Sequence, residues 1–166
     1  MIRELSRYIF FYTTILVFQI FVFNQINLLG FITPFLYLII FIHYKTSYNK
    51  TILIFLGFIT GIIIDLSMQT YGCHTFATIT ICYSRTWIEK YSFGVNSNLP
   101  SAMISGTQLI NRLIFFGIII FIHSSIYYSL IYFNIELFWT IVLNIIINSI
   151  ITFIMIWLIS QLISNK

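Results

Sequence analysis

Charge is what this sequence has least of. Only 7% of its 166 residues are Asp, Glu, Lys or Arg, four acids against eight bases. A soluble domain carries roughly 25% charge, so a water-facing globule is excluded. The four acids are too dispersed for a catalytic carboxylate dyad. No Ser or Cys has a placed base, and no Gly-rich phosphate loop is present, so enzymatic activity is not expected. Cysteine is scarce too: Cys73 and Cys82 are its two instances. On a helix they would lie ~13 Å apart along the axis, beyond disulfide reach. They read as small packing residues. His74, Asp65 and Cys73 are too few to assemble a metal site, and neither metal nor cofactor is expected. Ala77 and Ala102 are the sole alanines, in a chain biased to Ile, Phe, Tyr and Asn as in an AT-rich coding background.

What the chain does have is apolar length. It is 60% hydrophobic with a mean hydropathy of +1.00, which places it in a bilayer. Six apolar stretches can be drawn, 8–24, 31–44, 51–68, 73–87, 111–133 and 137–163. A membrane crossing takes ~20 residues, so the second and fourth are short. They must borrow from their flanks, sit in thinned lipid or be covered by neighbours. The expected fold is an all-α integral membrane bundle of six transmembrane helices, forming a single polytopic domain over residues 1–166.

Charge placement fits that count. With both termini on one side, Arg3, Arg7, Lys45, Lys50, Arg85, Lys90, Arg112 and Lys166 all share that side, while Asp65 and Glu136 fall on the other. The positive-inside rule makes the basic side cytoplasmic, giving N-in and C-in. The net charge of +4 is then topological information, and nucleic acid is not an expected partner. Arg3, Glu4 and Arg7 precede a long apolar run with no small-residue cleavage site, so the first stretch reads as a retained helix rather than a signal peptide.

Between the stretches, residues 24–30 and 67–72 read as outer turns and 43–50 as a short inner loop, with Pro34 tolerated near a first helical turn. Residues 89–110 form the one long connection, cytoplasmic, with a short interfacial helix over 101–108. In the last stretch Thr140, Asn144, Asn148, Thr152 and Ser160 follow a spacing of four, interrupted by Ile156. That polar stripe should face other helices as packing glue. Gln19 should also face the bundle; His74 and His123 are each candidate proton sites, with a neutral, hydrogen-bonded imidazole the favoured reading.

Residues 57–85 read GFITGIIIDLSMQTYGCHTFATITICYSR. Gly57, Gly61 and Asp65 fall on one helix face, and a small-residue stripe of that spacing admits another helix closely. Asp65 lies ~22 Å along the helix from Lys50, toward the outer interface. An acid there admits three readings: an outer partner contact, a hydrogen-bonded lock onto the 68–74 turn, or a ligand site.

Two blocks resemble the MreD family of rod shape-determining membrane proteins. Residues 19–37, QIFVFNQINLLGFITPFLY, are similar to the family's Q, N, G and P order; residues 57–85 resemble its G-x-x-x-G-x-x-x-D, G-x-H, Ala and closing Arg. Gly57, Gly61, Asp65, Gly72, His74, Ala77 and Arg85 hold those places, and His123 resembles a further family position. Cys73 and Ser84 depart from the usual residues.

The resemblance implies a non-enzymatic scaffold of the bacterial cell-elongation machinery in the cytoplasmic membrane. It would regulate cell shape and lateral peptidoglycan synthesis. Its partners would be MreC, and indirectly MreB, RodA and a penicillin-binding transpeptidase. It also implies a helix arrangement similar to the substrate-binding components of vitamin transporters. On this reading a partner span docks on the Gly57–Gly61–Asp65 face or an adjoining groove. The alternative is a small-molecule-binding component of a transporter, using an outer mouth around Asp65, residues 68–74 and Glu136.

Overall fold

A computed structural model describes residues 2–25, 33–44, 49–94 and 108–164. Among these residues the regular structure is helical throughout. Helix α1 spans Ile2–Phe18 and runs on into a π-helical turn, Gln19–Phe23. Helix α2 is the five-residue Leu38–Ile42, α3 is Lys50–Met68, α4 is Cys73–Phe93 and α5 is Leu109–Tyr132. A 3₁₀ turn, Ile135–Leu137, leads into α6, Phe138–Ser164. Three helical segments are long and apolar enough to cross a membrane, Lys50–Met68, Leu109–Tyr132 and Ile135–Leu162, with Tyr8–Phe23 as a shorter apolar helix.

Helices α3 and α4 form the tightest pair. Gly57 faces Cys82, Gly61 faces Thr75 and Thr78, and Asp65 reaches His74 and Thr75. Four residues along one helix thus match about four back along the other, the register of an antiparallel hairpin. A Cβ on Gly61 would stand 2.3 Å from the Cα of Thr75, so glycine is what permits this approach. The stripe anticipated as a landing site for a partner helix is therefore occupied by α4. Gly57 and Gly61 thus do the helix packing expected of them, with the chain's own α4 as the neighbour on that face.

Helix α4 also corrects the expected boundary at Trp87. It continues to Phe93, 21 residues or about 31 Å, and ends at Gly94 with φ 89. What carries it on is an i,i+4 ion pair, Arg85 Nε to Glu89 Oε1 at 2.7 Å, with both side chains buried. Arg85 itself is buried in the packed bundle. The rest of the expected 89–110 loop, with its 101–108 helix, lies almost entirely outside the described residues.

The second stretch departs furthest from expectation. A crossing helix over 31–44 was anticipated, yet its described part holds five residues of α-helix. Pro34 has no N–H to give and biases the residue before it away from helix. Leu38, Ile39 and Ile40 instead begin with bonds to carbonyls three residues back, at Phe35, Leu36 and Tyr37. Residues Phe35 through Ile42 are all buried, none more than 8% exposed. Non-helical backbone is tolerated at membrane depth when protein surrounds it, and here it does.

Side-chain anchors set this segment's direction. Phe35 bonds Thr152 and His43 bonds Ser160, so both chains advance eight residues between the two ties. The segment therefore runs parallel to α6. Helix α1 runs parallel to α3, through Tyr12–Thr60 and Asn24–Ser67 hydrogen bonds of 2.9 and 2.6 Å. Helices α4 and α5 are antiparallel, with His74 by His123 and Arg85 by Phe115. Helices α5 and α6 are antiparallel across the Phe133–Leu137 connection, with Tyr132 bonding Asn144.

Candidate functional site

The residues that carry the family resemblance are spread along the packed interior, with Asp65 and Arg85 toward opposite ends and His74 and His123 at the centre. Asp65 comes first because its geometry is complete. The N-cap of α4 is Gly72, at φ 94, which has no side chain to cover the exposed N–H groups of the first turn. Asp65 supplies the missing cap from α3. Its Oδ1 accepts from His74 N at 3.0 Å and from the Thr70 hydroxyl at 2.5 Å. Its Oδ2 accepts from Thr75 N at 2.8 Å and the Thr75 hydroxyl at 2.5 Å. A carboxylate has about four acceptor sites, and all are used. Its negative charge also sits at the positive end of the α4 dipole. Of the three readings left open by the sequence, this geometry is that of the lock on the 68–74 turn.

Gln19 grips the irregular segment from the other side. It is fully buried in the π-helical turn; its Nε2 donates to the Pro34 carbonyl at 3.1 Å and to Asn24 Oδ1 at 2.8 Å. Its Oε1 accepts the Tyr37 N–H at 3.1 Å. Thr152 accepts the Phe35 N–H at 3.2 Å. Two backbone donors freed by Pro34 are thus satisfied by side chains from α6 and the π turn. The α6 stripe is buried as expected at Asn144, Asn148, Thr152 and Ser160, whereas Thr140 is exposed, a correction to its upper end. Below Thr140 the stripe acts as a rail for the non-helical segment as well as glue between helices.

At the centre, the Tyr37 hydroxyl lies 2.9 Å from His74 Nδ1 and 2.7 Å from His123 Nε2. All three side chains are fully buried. Tyr127 stacks on the His74 ring with centroids 4.2 Å apart, and Phe35 meets both imidazoles edge-on at 5.2 and 5.0 Å. At the opposite end from Asp65, an Arg85 guanidinium N–H donates to the Tyr44 carbonyl, with the Tyr44 and Phe115 rings beneath the cation. His43 Nδ1–H donates to Ile39 O, which leaves Nε2 to accept the Ser160 hydroxyl at 3.1 Å.

Sequence reasoning singled out Gln19, Asp65, His74, Arg85 and His123 and missed Tyr37, Tyr127 and Glu89. Glu89 was findable, since an acid four residues after an arginine is an ion-pair signal on a helix. Tyr37 was findable only as a polar hydroxyl inside an apolar run, which needs a partner when buried. Among the described residues no group of three or more His, Cys, Asp or Glu side chains is arranged to hold a metal ion. Comparison with protein-family models, characterised proteins and solved structures gave no match.

Proposed function

We propose that this chain is a six-crossing scaffold of the bacterial cytoplasmic membrane, with both termini in the cytoplasm, serving the cell-elongation machinery. It is non-enzymatic on this reading. It acts by presenting a rigid helical body to an MreC-like single-span coiled-coil partner, and through it to MreB, RodA and a penicillin-binding transpeptidase. The family assignment rests on the sequence resemblance. The observation that carries the scaffold role is how the matching residues are used: Gln19, Pro34, Gly57, Gly61, Asp65, Gly72, His74, Arg85 and His123 all close the bundle. With four donors already on its carboxylate, Asp65 offers little to a ligand at the anticipated transporter mouth. The alternating directions of the packed segments support six crossings. Lys50, Arg85, Lys90 and Arg112 lie toward the end that the positive-inside rule assigns to the cytoplasm.

The partner's surface on this account is an outward helix face rather than the glycine stripe. Expression of the chain in rod-shaped cells depleted of their MreD-family protein tests the proposal. Restored cell width, with co-purification of the MreC-type protein, is the expected result. Rounded cells at normal protein levels, or co-purification with paired ATPases and a transmembrane coupling protein, would refute it.

A further inference from the structure

The three side chains at the centre of the bundle obey a proton count that restricts their states. Tyr37 owns one hydroxyl proton and stands within hydrogen-bond distance of one nitrogen on each imidazole, His74 Nδ1 and His123 Nε2. To make both bonds and keep its own hydroxyl proton paired, the phenol must donate to one histidine and accept from the other. If it donates to His74 Nδ1, then His74 carries its proton on Nε2, and His123 must offer Nε2–H. If it donates to His123 Nε2, then His123 carries Nδ1–H and His74 must offer Nδ1–H. In the first case both rings are Nε2–H tautomers, and in the second both are Nδ1–H. Mixed tautomers present the phenol with two donors, which leaves its hydroxyl proton unpaired, or with two bare acceptors, which leaves one ring nitrogen unpaired. Leaving a buried polar group unpaired costs ~1–3 kcal/mol, enough to suppress mixed states roughly 5- to 150-fold.

We propose that Tyr37 locks His74 and His123 into one shared tautomer and limits the pair to one extra proton. The remaining nitrogens, His74 Nε2 and His123 Nδ1, are buried and make no hydrogen bond among the described residues, so Tyr37 is the shared partner through which the two rings sense each other. With one extra proton held, both bonds to Tyr37 survive. With two, both imidazoliums donate to the same phenol oxygen and the hydroxyl proton has no acceptor between them, so the pair holds one extra proton and not two.

The titratable side chains around the pair come from α3, α4 and α5. Asp65 of α3 accepts the His74 backbone N–H and is the one acid beside it. Tyr127 stacks on His74, and Tyr128 packs on Phe35 from the same helix. Helix α4 adds Cys73, next to His74, and Cys82; Thr152 and Asn148 of α6 and Gln19 of the π turn are neutral. Nothing in this inference depends on the scaffold reading.

Nitrogen-15 NMR of histidine-labelled protein in lipid bilayers tests it, since protonated and bare ring nitrogens give separate signals. His43, whose Nδ1 donates to Ile39, serves as an internal Nδ1–H reference. His74 and His123 are expected to show the same tautomer as each other, and on acidification one imidazolium between them. In Tyr37→Phe the tautomers should become independent, and the pair should take up two protons. Opposite tautomers in the wild-type protein, or two imidazoliums while it remains folded, would overturn the proposal whether or not the variant folds. Unchanged linkage in a folded Tyr37→Phe would do the same.

Discussion

Substituting alanine at the three glycines of the long helices should separate close packing from mere helix propensity. Alanine is worth up to ~1 kcal/mol over glycine inside a helix, so each change starts with a gain. At Gly117 the new Cβ would lie 3.9 Å from Phe153, an ordinary contact, and that gain should survive. At Gly57 it would meet the Cys82 Sγ at 2.8 Å, a single side-chain atom able to turn away. At Gly61 it would stand 2.3 Å from Thr75 Cα and 2.8 Å from Thr75 N, backbone atoms that move only if α3 and α4 part. Restoring ordinary contact there needs a displacement of about 1 Å, at an overpacking cost of ~1–3 kcal/mol. The same displacement stretches the Thr75 bonds to Asp65 and the Thr78 bond to the Gly57 carbonyl, each worth ~0.5–1.5 kcal/mol. After the propensity gain, Gly61→Ala should lose ~3 kcal/mol, a roughly hundredfold fall in the folding equilibrium. Unfolding in mixed detergent micelles, followed by fluorescence of Trp87, Trp139 and Trp157, provides the readout. The expected order of stability is Gly117→Ala, then Gly57→Ala, then Gly61→Ala. A Gly61→Ala protein as stable as Gly117→Ala would refute the backbone-contact argument.

Asp65→Asn should be destabilising by ~1–3 kcal/mol in the same micelle assay, because its amide presents N–H to donors that now meet an oxygen, and Asp65→Leu should cost more. A silent Asn variant would mean the second oxygen is not needed. Thr152→Val keeps shape but removes the acceptor for the Phe35 N–H. Amide hydrogen exchange at Phe35 should accelerate by roughly one to two orders of magnitude, which matches ~1–3 kcal/mol for an unpaired buried donor.

The hairpin of α3 and α4 was legible because its determinants are local. Two glycines and an acid at four-residue spacing specify one face, and Gly72 marks the turn beneath them. The polar face of α6 was legible for the same reason, apart from Thr140. The second stretch was not, because hydropathy reports apolarity and is blind to where backbone N–H groups go. The acceptor that keeps Phe35 out of a helix sits on Thr152, 117 residues away. Tyr37 likewise meets partners 37 and 86 residues along the chain. Positional charge counting placed Arg85 on the cytoplasmic side of the fourth stretch but does not see that Glu89 pairs with it within the bundle.

The orientation of the bundle is the claim on which the scaffold reading stands, and cysteine accessibility measures it directly. In a background with Cys73 and Cys82 replaced, single cysteines at the exposed positions Tyr71, Ile135, Lys90 and Gln108 would be challenged with a membrane-impermeant thiol reagent in intact cells. Six crossings with cytoplasmic termini predict labelling at 71 and 135, and at 90 and 108 only after permeabilisation. Labelling of 90 or 108 from outside intact cells would contradict the account.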